Sequence, residues 1–141
     1  MKYRELNGYK YMLMETISFY VGIFPSGQLD ATDRDGFLRL TPKGFLTITK
    51  GYCWDGATDP AVDTKNIMTP SLVHDAGYQL IRLGLIPRHT KDDWDNLLKS
   101  MCNERGMSGL RQSWVHLGVD KLGGGAIRPN AKDLIQIIEL L

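Results

Sequence analysis

Two periods divide the chain. Over residues 16–23, Ile17, Phe19, Val21 and Ile23 alternate with Thr16, Ser18, Tyr20 and Gly22. That period of two buries one face of a strand. Pro25, Ser26 and Gly27 then interrupt it. Two shorter strands are predicted at 37–40 and 45–49, joined by a Pro42-Lys43-Gly44 turn, with another turn at Asp33-Arg34-Asp35-Gly36. That second turn looks like a helix-loop-helix calcium loop. Such a loop needs an oxygen ligand where Ala31 stands and a glutamate where Pro42 stands, which excludes it.

The second half follows a helical period. Thr69 is placed to cap a helix, with Pro70 at its first position. This helix runs through SLVHDAGYQLIRL and stops near Gly84. Pro87 keeps the connection short. Thr90 then caps a second helix with Asp93 three residues on. Trp94, Leu97, Leu98 and Met101 form its apolar face, and Gly106 ends it. So short a link predicts antiparallel neighbours. A third helix is predicted over 109–122, with Leu110, Trp114 and Leu117 inward, before Gly123-Gly124-Gly125 breaks it. Asn130 and Asp133 open a last helix bearing Leu134, Ile137, Ile138 and Leu141. At about 11 residues it does not hold alone, so it docks on the domain or on a partner.

Between the halves, residues 50–68 read KGYCWDGATDPAVDTKNIM, rich in Gly, Asp, Pro and Thr. An irregular stretch of that length in a compact domain is usually functional or disordered. Tyr52, Trp54 and Val62 predict an ordered loop with aromatic anchors. The expected fold is therefore α+β, a single domain over 1–141. Its β-rich part covers 1–50, with hairpins from about residue 9. The loop is 51–68 and the helical part 69–141. An antiparallel hairpin and two further helices make up that part, the last of them a docking helix at 130–141.

Composition narrows the function classes. The chain has 141 residues, 43% of them apolar, enough for one domain with a real core. Seventeen Lys and Arg face sixteen Asp and Glu, for a net charge of +1 and no basic run. Nucleic acid is therefore not an expected partner. Two cysteines, Cys53 and Cys102, are too few for a disulfide framework or a thiolate zinc site, and are expected as buried free thiols. The opening MKYRELNGYKYMLMET lacks an apolar signal core, and no apolar run reaches the roughly 18 residues that span a bilayer. The expectation is a soluble protein made in the cytoplasm.

The chemistry concentrates at His74-Asp75 and Tyr78. Spaced by three and four, these residues share one side of the first helix, opposite Leu72, Ala76, Leu80 and Leu83. Asp95 lies on the flank of the second helix, where a hairpin can carry its carboxylate to the His74 ring or leave it as a surface acid. A carboxylate on one imidazole nitrogen fixes the tautomer and frees the other as a general base. Asp75 can ligate a hard cation, with backbone carbonyls from residues 52–57 supplying further oxygens, as calcium requires. Such a cation would polarise an ester or phosphoryl group while His74 deprotonates water. Any single His-Asp pair on a helix is more often structural. Asp92 and Asp93 are read as first-turn acids.

The string G-Y-C-W-D-G-A-T-D-P, then L-V-H-D-A-G-Y, then W-D-N-L-L resembles an uncharacterised family of small bacteriophage and prophage proteins. Those proteins carry a D-x-A-S-x-P-like loop, an H-D-x-x-Y helix and an A-D-x-x-F helix. The loop here is Asp55-Gly56-Ala57-Thr58-Asp59-Pro60, and the likeness covers most of 12–122. The same motifs are more distantly similar to the phospholipase A2 superfamily. That resemblance implies His74 as base, Asp95 orienting it, Tyr78 bonded to Asp95, and Asp75 on calcium. Carbonyls around Tyr52, Trp54 and Gly56 would complete the calcium site, with Asp55 as an extra ligand or a turn carboxylate. The pattern departs from that superfamily in three ways. Val73 and Gly77 stand near the histidine where the secreted enzymes have cysteines. Trp54 and Asp55 interrupt the glycine loop. The first fifty residues have no counterpart.

A metal-dependent HD phosphohydrolase needs a histidine upstream of the H-D pair, and His74 is the first histidine in the chain. No G-x-S-x-G elbow is present. Two functions are then expected. One is a phage-encoded phospholipase-like or esterase-like hydrolase acting on a lipid or ester. The other is a non-enzymatic virion or assembly component, or a host-interaction protein, engaging its partner through the C-terminal helix.

Overall fold

Leu13, Leu38, Leu40, Leu46 and Ile48 are fully shielded from solvent, and each stands on a strand. They form one core with Leu72, Ala76 and Leu80 of a long helix and with Trp54 and Trp94. Burial of each such aliphatic side chain contributes about 1.5–3 kcal/mol. The computed structural model describes residues 1–6, 11–55 and 65–104. Seven strands, two α-helices and a 3-10 turn lie within them, and all strand pairing is antiparallel. The fold is α+β, with strands first and helices after. The helices expected at 109–122 and 130–141, and the end at Gly106, lie outside the described residues.

One sheet joins β1 (Tyr3–Glu5), β2 (Tyr11–Leu13) and β7 (Cys53–Trp54) in that order. The other has the order β3 (Ile17–Tyr20), β6 (Phe45–Ile48), β5 (Leu38–Leu40), β4 (Ala31–Thr32). The alternation read over 16–23 continues beyond β3, since Val21 and Ile23 are buried while Gly22 is exposed. The β5–β6 turn closes with the Gly44 N–H on the Thr41 carbonyl at 3.0 Å, and Gly44 has φ 87°, open to glycine at no steric cost. Asp33 accepts the Gly36 N–H on its carbonyl and the Leu38 N–H on Oδ1, so the predicted turn at 33–36 forms.

Two expectations need correction. The stretch 51–68 is not irregular throughout. Gly51 donates to the Leu13 carbonyl, and Tyr52 accepts the Leu13 N–H, which starts β7 beside β2. Strand pairing therefore begins as early as Tyr3 and returns at Cys53, outside the predicted limits. Then, α1 (Lys65–Arg82) begins four residues before the predicted cap, which places Pro70 inside it. Pro70 is the sixth residue of the helix, past the first four N–H groups that have no internal acceptor, so it forgoes the bond to the Asn66 carbonyl. Thr69 and Pro70 mark the early helix, not its start. The side of α1 that carries His74 is covered, and both His74 and Tyr78 are buried. The helix runs between β7 on one side and the second helix, α2 (Lys91–Glu104), on another. Between Met68 and Ile81, Asp75 alone is as much as half-exposed.

The helix ends as predicted. The Leu85 N–H reaches the Leu80 carbonyl, the Gly84 N–H reaches that of Ile81, and Gly84 sits at φ 73°. A 3-10 turn over Arg88–Thr90 leads directly into α2. Thr90 is buried, and its hydroxyl donates to the Pro87 carbonyl at 2.6 Å. On α2, Trp94 and Leu98 are buried and Leu97 and Met101 half-buried, the face the period predicted. His74 lies by Asp95 and Tyr78 by Lys91, so the helices are antiparallel. Cys53 and Cys102 are both buried and are not joined by a disulfide.

Candidate functional site

Asp95 is the centre of the site, 1% exposed on the inner face of α2. A buried carboxylate needs donors, and it has three. His74 Nε2 lies 2.7 Å from Oδ1. The Tyr78 hydroxyl donates to the same oxygen at 2.5 Å. Lys91 Nζ donates to Oδ2 at 2.8 Å. The one-turn spacing of His74 and Tyr78 on α1 puts both over one oxygen, and their rings lie 4.0 Å apart at 45°. The one-turn spacing of Lys91 and Asp95 does the same on α2.

One close contact lets the helices approach this far. A Cβ at Gly77 would collide with the indole of Trp94, so the missing side chain is what lets that ring lie on α1. Trp94 is fully buried and immediately precedes Asp95. The other side of α1 is tied to β7. The Tyr52 hydroxyl donates to Gln79 Oε1 at 2.8 Å, and Trp54 Nε1 donates to Ser71 Oγ at 3.1 Å. Helix α1 is thus fixed from both sides around His74.

Electrostatics define the protonation states. Burial holds His74 below the ordinary histidine range, against the pull of Asp95, and Lys91 and Arg82 press the same way as burial. Burial alone would raise Asp95. Hydrogen bonds from His74, Lys91 and Tyr78 outweigh it and leave the carboxyl below its ordinary range. The pair is therefore a neutral imidazole bonded to a carboxylate, not an ion pair. An ionised carboxylate only accepts, so Nε2 carries the proton and Nδ1 keeps its lone pair. Such an imidazole is a ready base at neutral pH.

The sequence-predicted residues separate into two groups. His74, Tyr78 and Asp95 come together, and Asp95 is no surface acid. The predicted metal ligands are placed differently. Tyr52 and Trp54 belong to the β-structure: the Tyr52 carbonyl holds the Leu13 N–H, and Trp54 pairs with Tyr11. Asp55 and Asp75 are half-buried, and both have partners within the chain. Gly56 lies outside the described residues. Among the described residues, no three acidic, histidine or cysteine side chains gather around a point.

Four participants were not assigned from sequence: Lys91, Gln79, Ser71 and Gly77. Lys91 carried a weak signal, since a lysine four residues before an aspartate can reach it on one helix face, although in the less favourable of the two orders. Gly77 carried a weaker one, as an isolated glycine within a helical pattern. The partners of Tyr52 and Trp54 depend on the strand–helix packing and have no local signature.

Comparison with known proteins supplies no relative: no family model, no curated protein and no solved structure matches the chain.

Proposed function

We propose that the chain is a phospholipase-like or esterase-like hydrolase of bacteriophage origin, with His74 as general base and Asp95 as its orienting carboxylate. The observation that carries this is the double acceptance at Asp95 Oδ1, which takes both the His74 Nε2–H and the Tyr78 O–H. His74 Nδ1 removes a proton from water as the water oxygen attacks the ester carbonyl or phosphoryl centre. The imidazolium that forms is stabilised by Asp95 and returns its proton to the leaving alkoxide. Tyr78 holds the carboxylate in place and takes no proton. The phage origin rests on the resemblance of the loop and H-D-x-x-Y motifs. Calcium enters through the same resemblance, with Asp75 as its ligand.

The test is hydrolysis of phosphatidylcholine vesicles and of short-chain esters by wild type and His74→Gln, with calcium or with a chelator. Loss of the base is expected to lower the rate by about 10²- to 10⁴-fold in a folded variant. A folded His74→Gln protein with the full rate would end the assignment. A chelator that changes nothing would remove calcium from it.

A second reading has one observation in its favour. His74 is only 5% exposed, so the same cluster can serve as a polar clip between helices in a non-enzymatic virion, assembly or host-interaction protein. Under it, deletion of 130–141 abolishes association with that partner, and His74→Gln costs stability alone.

A further inference from the structure

Lys91 stands where a helix does not favour it. It is the first residue of α2, at the positive end of the helix dipole. It also precedes its acidic partner by one turn, the weaker of the two orders for such a pair. Helix stability therefore gives no reason for a lysine here. Asp95 does. Its side chain is almost wholly buried, and Oδ2 accepts the Lys91 ammonium at 2.8 Å. The lysine side chain is itself 16% exposed, so the pair is shielded from water. The ammonium lies 5.9 Å from the centre of the Tyr78 ring, whose hydroxyl is on the other oxygen.

Resting on the hydrolase reading above, we infer that Lys91 is a positioning residue that decides which imidazole nitrogen of His74 is the base. With Oδ2 held by Lys91, Asp95 presents an ionised Oδ1, which can only accept. The proton of the imidazole must then sit on Nε2, and Nδ1 keeps its lone pair. Without the ammonium, a buried carboxylate with one bare oxygen gains by taking a proton from solvent. A carboxylic acid can donate its O–H to Nε2. His74 would then carry its own proton on Nδ1, and the nitrogen that should receive the proton of water would be occupied. The distances at His74 would change little, while its basicity toward water would be lost.

The experiment reads the tautomer directly, from the imidazole nitrogen shifts of His74 in long-range proton–nitrogen NMR spectra. His74→Gln supplies the assignment, and thermal melts show that each protein is folded. Wild type is expected as the Nε2–H form. Lys91→Met, which keeps the stem and removes the charge, is expected to shift the population to Nδ1–H. Lys91→Arg, which restores a cation, should recover Nε2–H. A folded Lys91→Met protein with an unchanged Nε2–H signature overturns the inference and leaves Lys91 as an ordinary ion pair. A wild type already in the Nδ1–H form overturns it too, and takes the hydrolase reading with it. Retention of Nε2–H in wild type and Lys91→Met without hydrolysis in either would remove both by separate results.

Discussion

Asp95 ties the two helices of the hairpin together. Three donors converge on one carboxylate, and they come from both helices of the hairpin. Each partner alters the protonation of another, so the cluster links stability to pH. His74 titrates lower in the fold than in the open chain. The open chain therefore binds the proton first as pH falls, and stability is lost below the ordinary histidine value, about 6.5. Asp95 is also held low, so its contribution persists above the ordinary carboxylate value and disappears in stronger acid. Asp33 has the opposite sign. Burial raises it, against hydrogen bonds from Leu38, Gly36 and Phe37, so its contribution is present in acid and lost as pH rises through the folded value. Melting temperatures of wild type should fall between about pH 7 and 5. In His74→Gln that part of the slope should be absent, which paired thermal melts across the range would show. At this scale the sequence was legible for His74, Tyr78 and Asp95, because helical spacing alone brings the first two to one side. It was silent on their burial, since a polar residue has no local sign that a second helix will cover it.

The hairpin of α1 and α2 depends on one absent side chain. Gly77 faces the Trp94 indole, and any Cβ there would overlap ring atoms. Gly77→Ala must push the helices apart or turn the tryptophan, and either moves Asp95 from His74. Overpacking of this kind costs about 1–3 kcal/mol. The expected result is a lower denaturation midpoint together with loss of the His74 tautomer signature, read in the same sample. Gain of helix propensity from glycine to alanine would offset about 1 kcal/mol, so an unchanged midpoint with an unchanged signature would refute the close contact. Elements were legible where periodicity was local. The alternation before Pro25, the glycine turns at Gly36 and Gly44, and the stop at Gly84 all appear. The start of α1 was misread because Thr-Pro mimics a helix start while the helix continues upstream. Strand β7 was misread because two residues, Cys53 and Trp54, are too few for a period. Their pairing is set by β2, some forty residues away.

For the whole molecule, α1 is held between the Tyr52–Trp54 side of the three-stranded sheet and α2. Tyr52–Gln79 and Trp54–Ser71 fix α1 to the sheet side, and the Asp95 cluster fixes it to α2. Among the described residues no helix is long and apolar enough to cross a membrane. The α+β class follows from the order of periods, strands first and helices after. Its division into a three-stranded and a four-stranded sheet does not, because strand order is decided by long-range pairing that no local pattern encodes. The proposed hydrolysis depends above all on an ionised Asp95 that makes His74 a base. Its most direct measurement is the ester or phospholipid hydrolysis rate of wild type beside Asp95→Asn at neutral pH, with both proteins shown to be folded. A measurable wild-type rate is expected, with a fall of about 10²- to 10⁴-fold in the variant. Equal rates in the two proteins, or none from a folded wild type, would contradict it.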